Sequence, residues 1–212
     1  MINRRSITNL LFDWDGTLFD SASTGLTAFM RTFADLGVLF TDEFYQQNYS
    51  PNWYLMYEAL ELPRSEWSRA DELWLEYYRD APVQMVDGAY ETLTALADRG
   101  YRVGLVTSGT QSRVTREINH LGLSSLLQVV VCNEMVVKKK PDPEGLHHAM
   151  AQIKSSPESC TYIGDAPEDI QMGRNAGVMT VGVLSKYPSS KRLAETKPDL
   201  LIDSITELLT HF

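Results

Sequence analysis

Two aspartates separated by one residue, Asp13 and Asp15, open the run Asp13-Trp14-Asp15-Gly16-Thr17-Leu18-Phe19-Asp20. An apolar stretch from Ile7 leads into them and reads as a buried strand. In open α/β sheets ligands sit at the carboxyl ends of strands, so paired carboxylates there suit an active site, and Gly16 lets the backbone bend. Asp-Gly is also an ordinary turn dipeptide, so this motif alone does not decide. Three more strand ends add to it. Thr107, Ser108 and Gly109 close the run that starts at Arg102, and a hydroxyl with successive backbone N–H groups at a strand–helix junction can hold a phosphate. Lys138-Lys139-Lys140-Pro141 follows the third apolar run, where one lysine could neutralise the same anion. Asp165 ends the fourth, and Asp169 opens the next helix. Each feature has a bland reading as helix cap, solvated lysine or N-cap before Pro167. Four such coincidences at the carboxyl ends of one sheet favour a single site.

The elements that must position these residues are legible as an alternation. Strands are expected at Ile7–Asp13, Arg102–Thr107, Leu127–Cys132, Cys160–Gly164, Val178–Val183 and Asp199–Ile202. Helical periods fall at 88–99, 111–121, 143–153, 167–176 and 204–211, with Gly100 and Gly177 where C-terminal caps belong. β-branched strands alternating with helices imply a parallel sheet with right-handed crossovers, hence a doubly wound α/β core. The stretch 21–82 breaks the pattern: it has helical periods rich in aromatics and no convincing strand. It reads as an inserted helical module, leaving 1–20 and 83–212 as the core. Most of its aromatics suit the module's own packing; Tyr49-Ser50-Pro51-Asn52-Trp53 suits a loop.

Composition narrows the classes. The 212 residues carry 19 Lys+Arg and 28 Asp+Glu, a formal charge of −9, which disfavours non-specific nucleic-acid binding. No apolar run approaches the ~18 residues of a membrane span. Arg4, Arg5 and the apolar residues after them resemble a signal peptide only until Asp13 and Asp15 interrupt them, so a cytoplasmic protein is expected. Cys132 and Cys160 lack a C-x-x-C partner and suit buried free thiols, and the four histidines show no metal spacing.

D-x-D-G-T, a hydroxyl ending the second core strand, K-P and G-D-x-x-x-D occur here in one order. In that set the chain resembles the haloacid dehalogenase (HAD) superfamily, in its phosphatase branch with a helical cap, phosphoglycolate-phosphatase-like members included. The resemblance implies a Rossmann-like core with an inserted α-helical cap. It implies that Asp13 is the nucleophile forming an aspartyl-phosphate, and that Asp15 is the acid and then the base. Mg²⁺ would be held by Asp13, the main-chain carbonyl of Asp15 and Asp165, with Asp169 orienting its waters. Thr107 and the backbone at Ser108 and Gly109 would hold phosphoryl oxygens, and Lys140 would bridge phosphate and nucleophile, with Lys139 the fallback. The implied partner is a small phosphorylated metabolite, with no nucleic acid or membrane, and the chain a monomer or weak dimer.

Residue identity separates the branches. Asp15 favours phosphoryl over dehalogenase chemistry, and the lack of any lysine before Lys138 excludes a cap Schiff base. Gly25 stands where β-phosphoglucomutase-type mutases carry a histidine, so hydrolysis is preferred and a phosphosugar mutase is the alternative. A receiver-like signalling domain fits less well, because Asp165 and Asp169 follow Lys140 in the chain. Ser108 and Ala166 depart from the family's common Asn and Ser. Trp14 is expected to pack, with its carbonyl facing the site. Substrate selectivity is expected from Tyr49–Tyr54, with Arg31 or Arg64, and the absence of a cap lysine disfavours a highly anionic leaving group.

Overall fold

The computed structural model describes residues 7–49, 53–79 and 81–212; Arg4, Arg5 and Ser50-Pro51-Asn52 lie outside them. The chain divides into two compact units. The first holds one sheet of six strands in the order β3-β2-β1-β4-β5-β6: β1 (Asn9–Phe12), β2 (Arg102–Val106), β3 (Leu127–Val131), β4 (Cys160–Gly164), β5 (Met179–Val183) and β6 (Leu200–Ile202). Every neighbouring pair is parallel. β1, β4 and β5 are buried along their whole length, as helices on both faces require. Strand order reverses between β1 and β4, and an α/β sheet opens its crevice at such a switch point.

Several strands end a residue earlier than their apolar runs suggest, but the ladder continues. Asp13 N–H donates to the Ile163 carbonyl at 2.8 Å, and Thr107 N–H donates to Val131 at 2.9 Å. These side chains therefore emerge at the last paired position of β1 and β2. The crossover helices of this unit are α5 (Ala89–Asp98), α6 (Gln111–His120), α7 (Glu144–Gln152) and α8 (Pro167–Asn175). Gly100 and Gly177 follow α5 and α8 with φ of 91° and 72°, the left-handed conformation that ends a helix. The terminal helical stretch is divided into a 3₁₀ turn, Ile205–Glu207, and a short α9 (Leu208–His211).

The second unit comprises 21–82 together with 186–189. Its helices are α1 (Ser21–Asp35), α2 (Asp42–Asn48), α3 (Tyr54–Ala59) and α4 (Trp67–Arg79). Phe29 is the hub of an aromatic core, with ring centroids of Phe33, Phe40, Tyr45, Trp53 and Trp74 5.5–6.4 Å away. Residues 186–189 were expected with the strands, because they follow β5 in the chain. Within the second unit the Tyr187 ring instead packs 5.2 Å from Tyr49, its hydroxyl bonds Ser21 Oγ, and Lys186 Nζ donates to Ser23 Oγ. The absence of lysine from 21–82 therefore does not leave this unit without one, and the argument against an anionic leaving group loses its premise.

Candidate active site

The turn after β1 is built around one carbonyl. Trp14 C=O accepts from the N–H groups of Thr17, Leu18 and Phe19, and Gly16 sits at φ 83°. That carbonyl is used up inside the turn, a correction to the expectation that it faces the site. The Trp14 ring is fully buried, stacks on Phe19 at 5.5 Å and donates its Nε1–H to Glu117 at 2.7 Å. The turn thus sends the Asp13 and Asp15 side chains to different surroundings.

Asp13 (6% exposed), Asp165 (3%) and Asp169 (1%) are the buried carboxylates of the site. Each offers an oxygen, and these oxygens lie within 4.8 Å of one another. Lys140 Nζ reaches Asp13 Oδ1 at 2.5 Å and Asp169 Oδ1 at 2.7 Å. Its loop is braced from several sides: Glu144 accepts the N–H groups of Val137 and Lys138, and Asn175 donates to the Pro141 carbonyl. Lys139 points elsewhere, donating to the Asn133 and Val136 carbonyls. Asp165 accepts from Thr17 Oγ1 at 3.2 Å and from Ser185 Oγ at 2.6 Å. Asp169 Oδ2 caps the start of α8 by accepting from Ala166 N–H at 3.0 Å, so the cap before Pro167 is Ala166 rather than Asp165.

Burial is the largest influence on Asp13 and pushes its carboxyl up to about 7, while the Lys140 ammonium opposes the rise and Asp169 adds to it. Asp165 is likewise held well above the usual carboxylate range, by burial first and then by Asp13 and Asp169. Burial alone would lower Lys140, but Asp13 and Asp169 outweigh it and keep the ammonium above its ordinary value. Three buried carboxylates facing one ammonium are short of positive charge. An all-oxygen donor set of this kind fits a hard divalent cation.

Thr107 Oγ1 accepts the Gly109 N–H at 3.0 Å, so that amide is committed within the β2–α6 loop, whereas Ser108 is exposed. Thr107, Ser108 and Lys140 line one cavity of about 20 Å³, room for roughly one water. Asp15 stands apart from the carboxylate cluster: Arg113 Nη2 and Nη1 meet its two oxygens at 2.5 and 2.9 Å. Residue order does not mark Arg113, Glu117, Ser185 or Tyr162, whose hydroxyl lies 3.3 Å from Asp169 Oδ1, as site residues, and Thr17 stands in the D-x-D-G-T run without a role of its own. The i, i+4 spacing of Arg113 and Glu117 was visible but indistinguishable from a surface pair.

Of the residues expected to select substrate, Tyr49, Trp53, Tyr54, Arg31 and Arg64 are engaged inside the second unit, and Ser50, Pro51 and Asn52 lie outside the described residues. Trp53 packs on Phe29 and Trp74, Tyr49 on Tyr45 and Tyr187, and the Tyr54 hydroxyl donates to Asp71. Arg31 lies 3.9 Å over the Tyr77 ring, and Arg64 stacks on Trp67 and pairs with Glu58. Gly25 belongs to α1, and the Trp74 Nε1–H donates to its carbonyl. Cys132 and Cys160 are buried free thiols. No helix among the described residues is long and apolar enough to cross a membrane.

A doubly wound sheet with carboxylates, a lysine and a hydroxyl gathered at its switch point is an α/β enzyme core with an acidic site. The model of the haloacid dehalogenase-like hydrolases matches residues 10–183. Pyrophosphatase PpaX of Listeria monocytogenes serotype 4b is 30% identical over 208 residues, covering 96% of this chain and 95% of its own. The fold is shared with a predicted phosphoglycolate phosphatase from Haemophilus somnus 129pt (TM-score 0.82, 21% identity, 97% and 98% of the two chains). A candidate β-phosphoglucomutase from Thermotoga maritima superposes at TM-score 0.80 with 22% identity, over 97% and 98%. The chain belongs to the haloacid dehalogenase-like hydrolases and is a phosphatase of that family.

Proposed function

We propose that this phosphatase is Mg²⁺-dependent and removes phosphate from a small phosphorylated metabolite through an aspartyl-phosphate on Asp13. The observation that carries the reading is the buried Asp13 carboxylate at the tip of β1, bridged by Lys140 to Asp169 and close to Asp165. Asp13 Oδ attacks phosphorus as the bond to the leaving oxygen breaks, and Asp15 gives that oxygen its proton. Water then attacks the phosphoryl group, Asp15 takes a proton from it, and Asp13 departs as carboxylate with release of phosphate. Lys140 holds the nucleophile and offsets phosphoryl charge, while Thr107 and the loop at Ser108 cradle the transferring oxygens, and the Gly109 amide, taken by Thr107 Oγ1, braces that loop instead. Asp13, the main-chain carbonyl of Asp15 and Asp165 would hold Mg²⁺, with Asp169 behind them. The ion supplies the charge neutralisation that lets an anionic carboxylate approach a phosphate.

Residues 21–82 serve as the cap that sets the leaving group, in a cytoplasmic monomer or weak dimer. Phosphoglycolate, sugar phosphates and nucleotides are the candidate substrates. Pyrophosphate stands beside them, and the likeness to PpaX supports it. The test is phosphate release from p-nitrophenyl phosphate and this metabolite panel, with wild type against Asp13→Asn. Mg²⁺-dependent turnover lost in the variant is expected, and the panel ranks the substrates. A wild type that becomes stably phosphorylated without releasing phosphate would overturn hydrolysis in favour of a mutase or a receiver-like domain.

A further inference from the structure

Asp15 is held by residues that no part of the reaction above uses. Arg113, on the first turns of α6, grips both its oxygens, at 2.5 and 2.9 Å, in the forked geometry by which guanidinium orients carboxylate. The guanidinium is held in turn: Arg113 Nη1 lies 3.2 Å from Glu117 Oε2 one turn along the helix. Glu117 is a carboxylate with 1% exposure in a helix face that packs inward, and such a residue needs partners to be tolerated there. Its partners are Arg113, Arg116 at 3.7 Å and the indole N–H of Trp14, the residue between the two aspartates. Gly109 completes the arrangement. A Cβ there would fall 2.5 Å from Arg113 Nη2 and 2.7 Å from Val114 Cγ2, closing the path by which the guanidinium reaches Asp15. Four separate features thus converge on one carboxylate: the fork, the buried counter-charge, the indole behind it and the missing side chain at Gly109.

We propose that Arg113 is a positioning residue for Asp15, with Glu117 and Trp14 as its anchor. The inference rests on the acid–base role given to Asp15 above. A carboxyl that must serve the leaving oxygen in one half-reaction and water in the next works from one place, and small displacements are costly. Bidentate contact to a guanidinium pinned to the same turn supplies that fixed place. Lysine in place of Arg113 would keep the charge and lose the fork.

The test compares Arg113→Met, Arg113→Lys and Glu117→Gln with wild type on two substrates. p-Nitrophenyl phosphate releases a phenolate that leaves without a proton; glycerol phosphate releases an alkoxide that needs one. For Arg113→Met, kcat/KM on glycerol phosphate, which reports transfer to Asp13 alone, is expected to fall about tenfold or more, part of the ~10²–10⁴ that acid–base catalysis contributes. On the aryl ester kcat/KM is expected to stay within about threefold, while kcat falls on either ester where the shared attack of water limits turnover. Arg113→Lys recovers part of the loss, and Glu117→Gln shows the same selectivity more weakly. Equal losses of kcat/KM on both esters, or none on either, overturn the proposal, as does a gain on glycerol phosphate. Melting temperatures are measured alongside. If Arg113→Met does not fold, Arg113→Lys and Glu117→Gln carry the same comparison. A wild type with selectivity for neither ester and no dependence on Asp13 overturns the phosphatase mechanism itself, which is a different result.

Discussion

A methyl group at Gly164 reports on how tightly the fold holds Asp169. In Gly164→Ala the new Cβ would lie 2.5 Å from Cβ, Cγ and Oδ2 of Asp169. Non-bonded carbon atoms rest at about 3.5–4.0 Å, so the carboxylate must retreat by roughly 1 Å. It has no free direction, because Oδ2 holds the Ala166 N–H and Oδ1 holds Lys140. Overpacking of this kind costs about 1–3 kcal/mol. At about 2–4 °C per kcal/mol for a chain of this size, the melting temperature should drop by roughly 2–12 °C. Displacing Lys140 with Asp169 disturbs the nucleophile, and a shift near 1 Å is worth about a hundredfold in rate.

Gly104→Ala is the control. Its Cβ would meet Val129 Cγ1 at 2.4 Å and Leu11 Cδ2 at 2.8 Å, an equal crowding between strands with no carboxylate against it. It should lower the melting temperature to a similar extent while kcat stays within about threefold, since a folded site is left intact. The assay is phosphate release at saturating substrate, well below both melting temperatures, with thermal unfolding followed in parallel. Wild-type kcat and stability in Gly164→Ala, or an equal loss of kcat in Gly104→Ala, would refute the reasoning.

Two further outcomes follow from the charge balance of the site. Lys140→Met leaves Asp13 and Asp169 facing each other without their ammonium; truncating one partner of a buried ion pair costs about 3–5 kcal/mol. Turnover should fall by at least about a hundredfold, and near-normal phosphate release would count against Lys140 as the bridging cation. Chelation by EDTA should abolish turnover and added Mg²⁺ restore it. Mg²⁺ should also raise the melting temperature of wild type but not of Asp165→Asn, because a ligand stabilises only the state that binds it. Turnover that survives chelation would remove the metal from the mechanism.

Much of this was readable from residue order, and the reason is local. The period of two or of 3.6 in apolar residues marks strands and helices, and Gly100 and Gly177 mark where helices stop. Parallel sheets bring strand tips to one edge, so Asp13, Thr107, Lys140 and Asp165 could be assigned to one site from their places after apolar runs. The family resemblance favours Lys140, the lysine directly before proline, and only the fold shows the Lys139 ammonium turned onto backbone carbonyls. What order could not reveal were pairings across long separations. Asp15 and Arg113 are 98 residues apart, and Asp165 meets Ser185 from a loop after another strand. Nor does any periodicity announce that 186–189 leave the strand unit to pack with Tyr49, Ser21 and Ser23. The sequence by itself determined the elements, their strand–helix alternation and the residue types at the strand tips, because those depend on neighbours within a turn or a strand. Tertiary structure alone decided which charge faces which, because burial and ion pairing act between groups that only packing brings together.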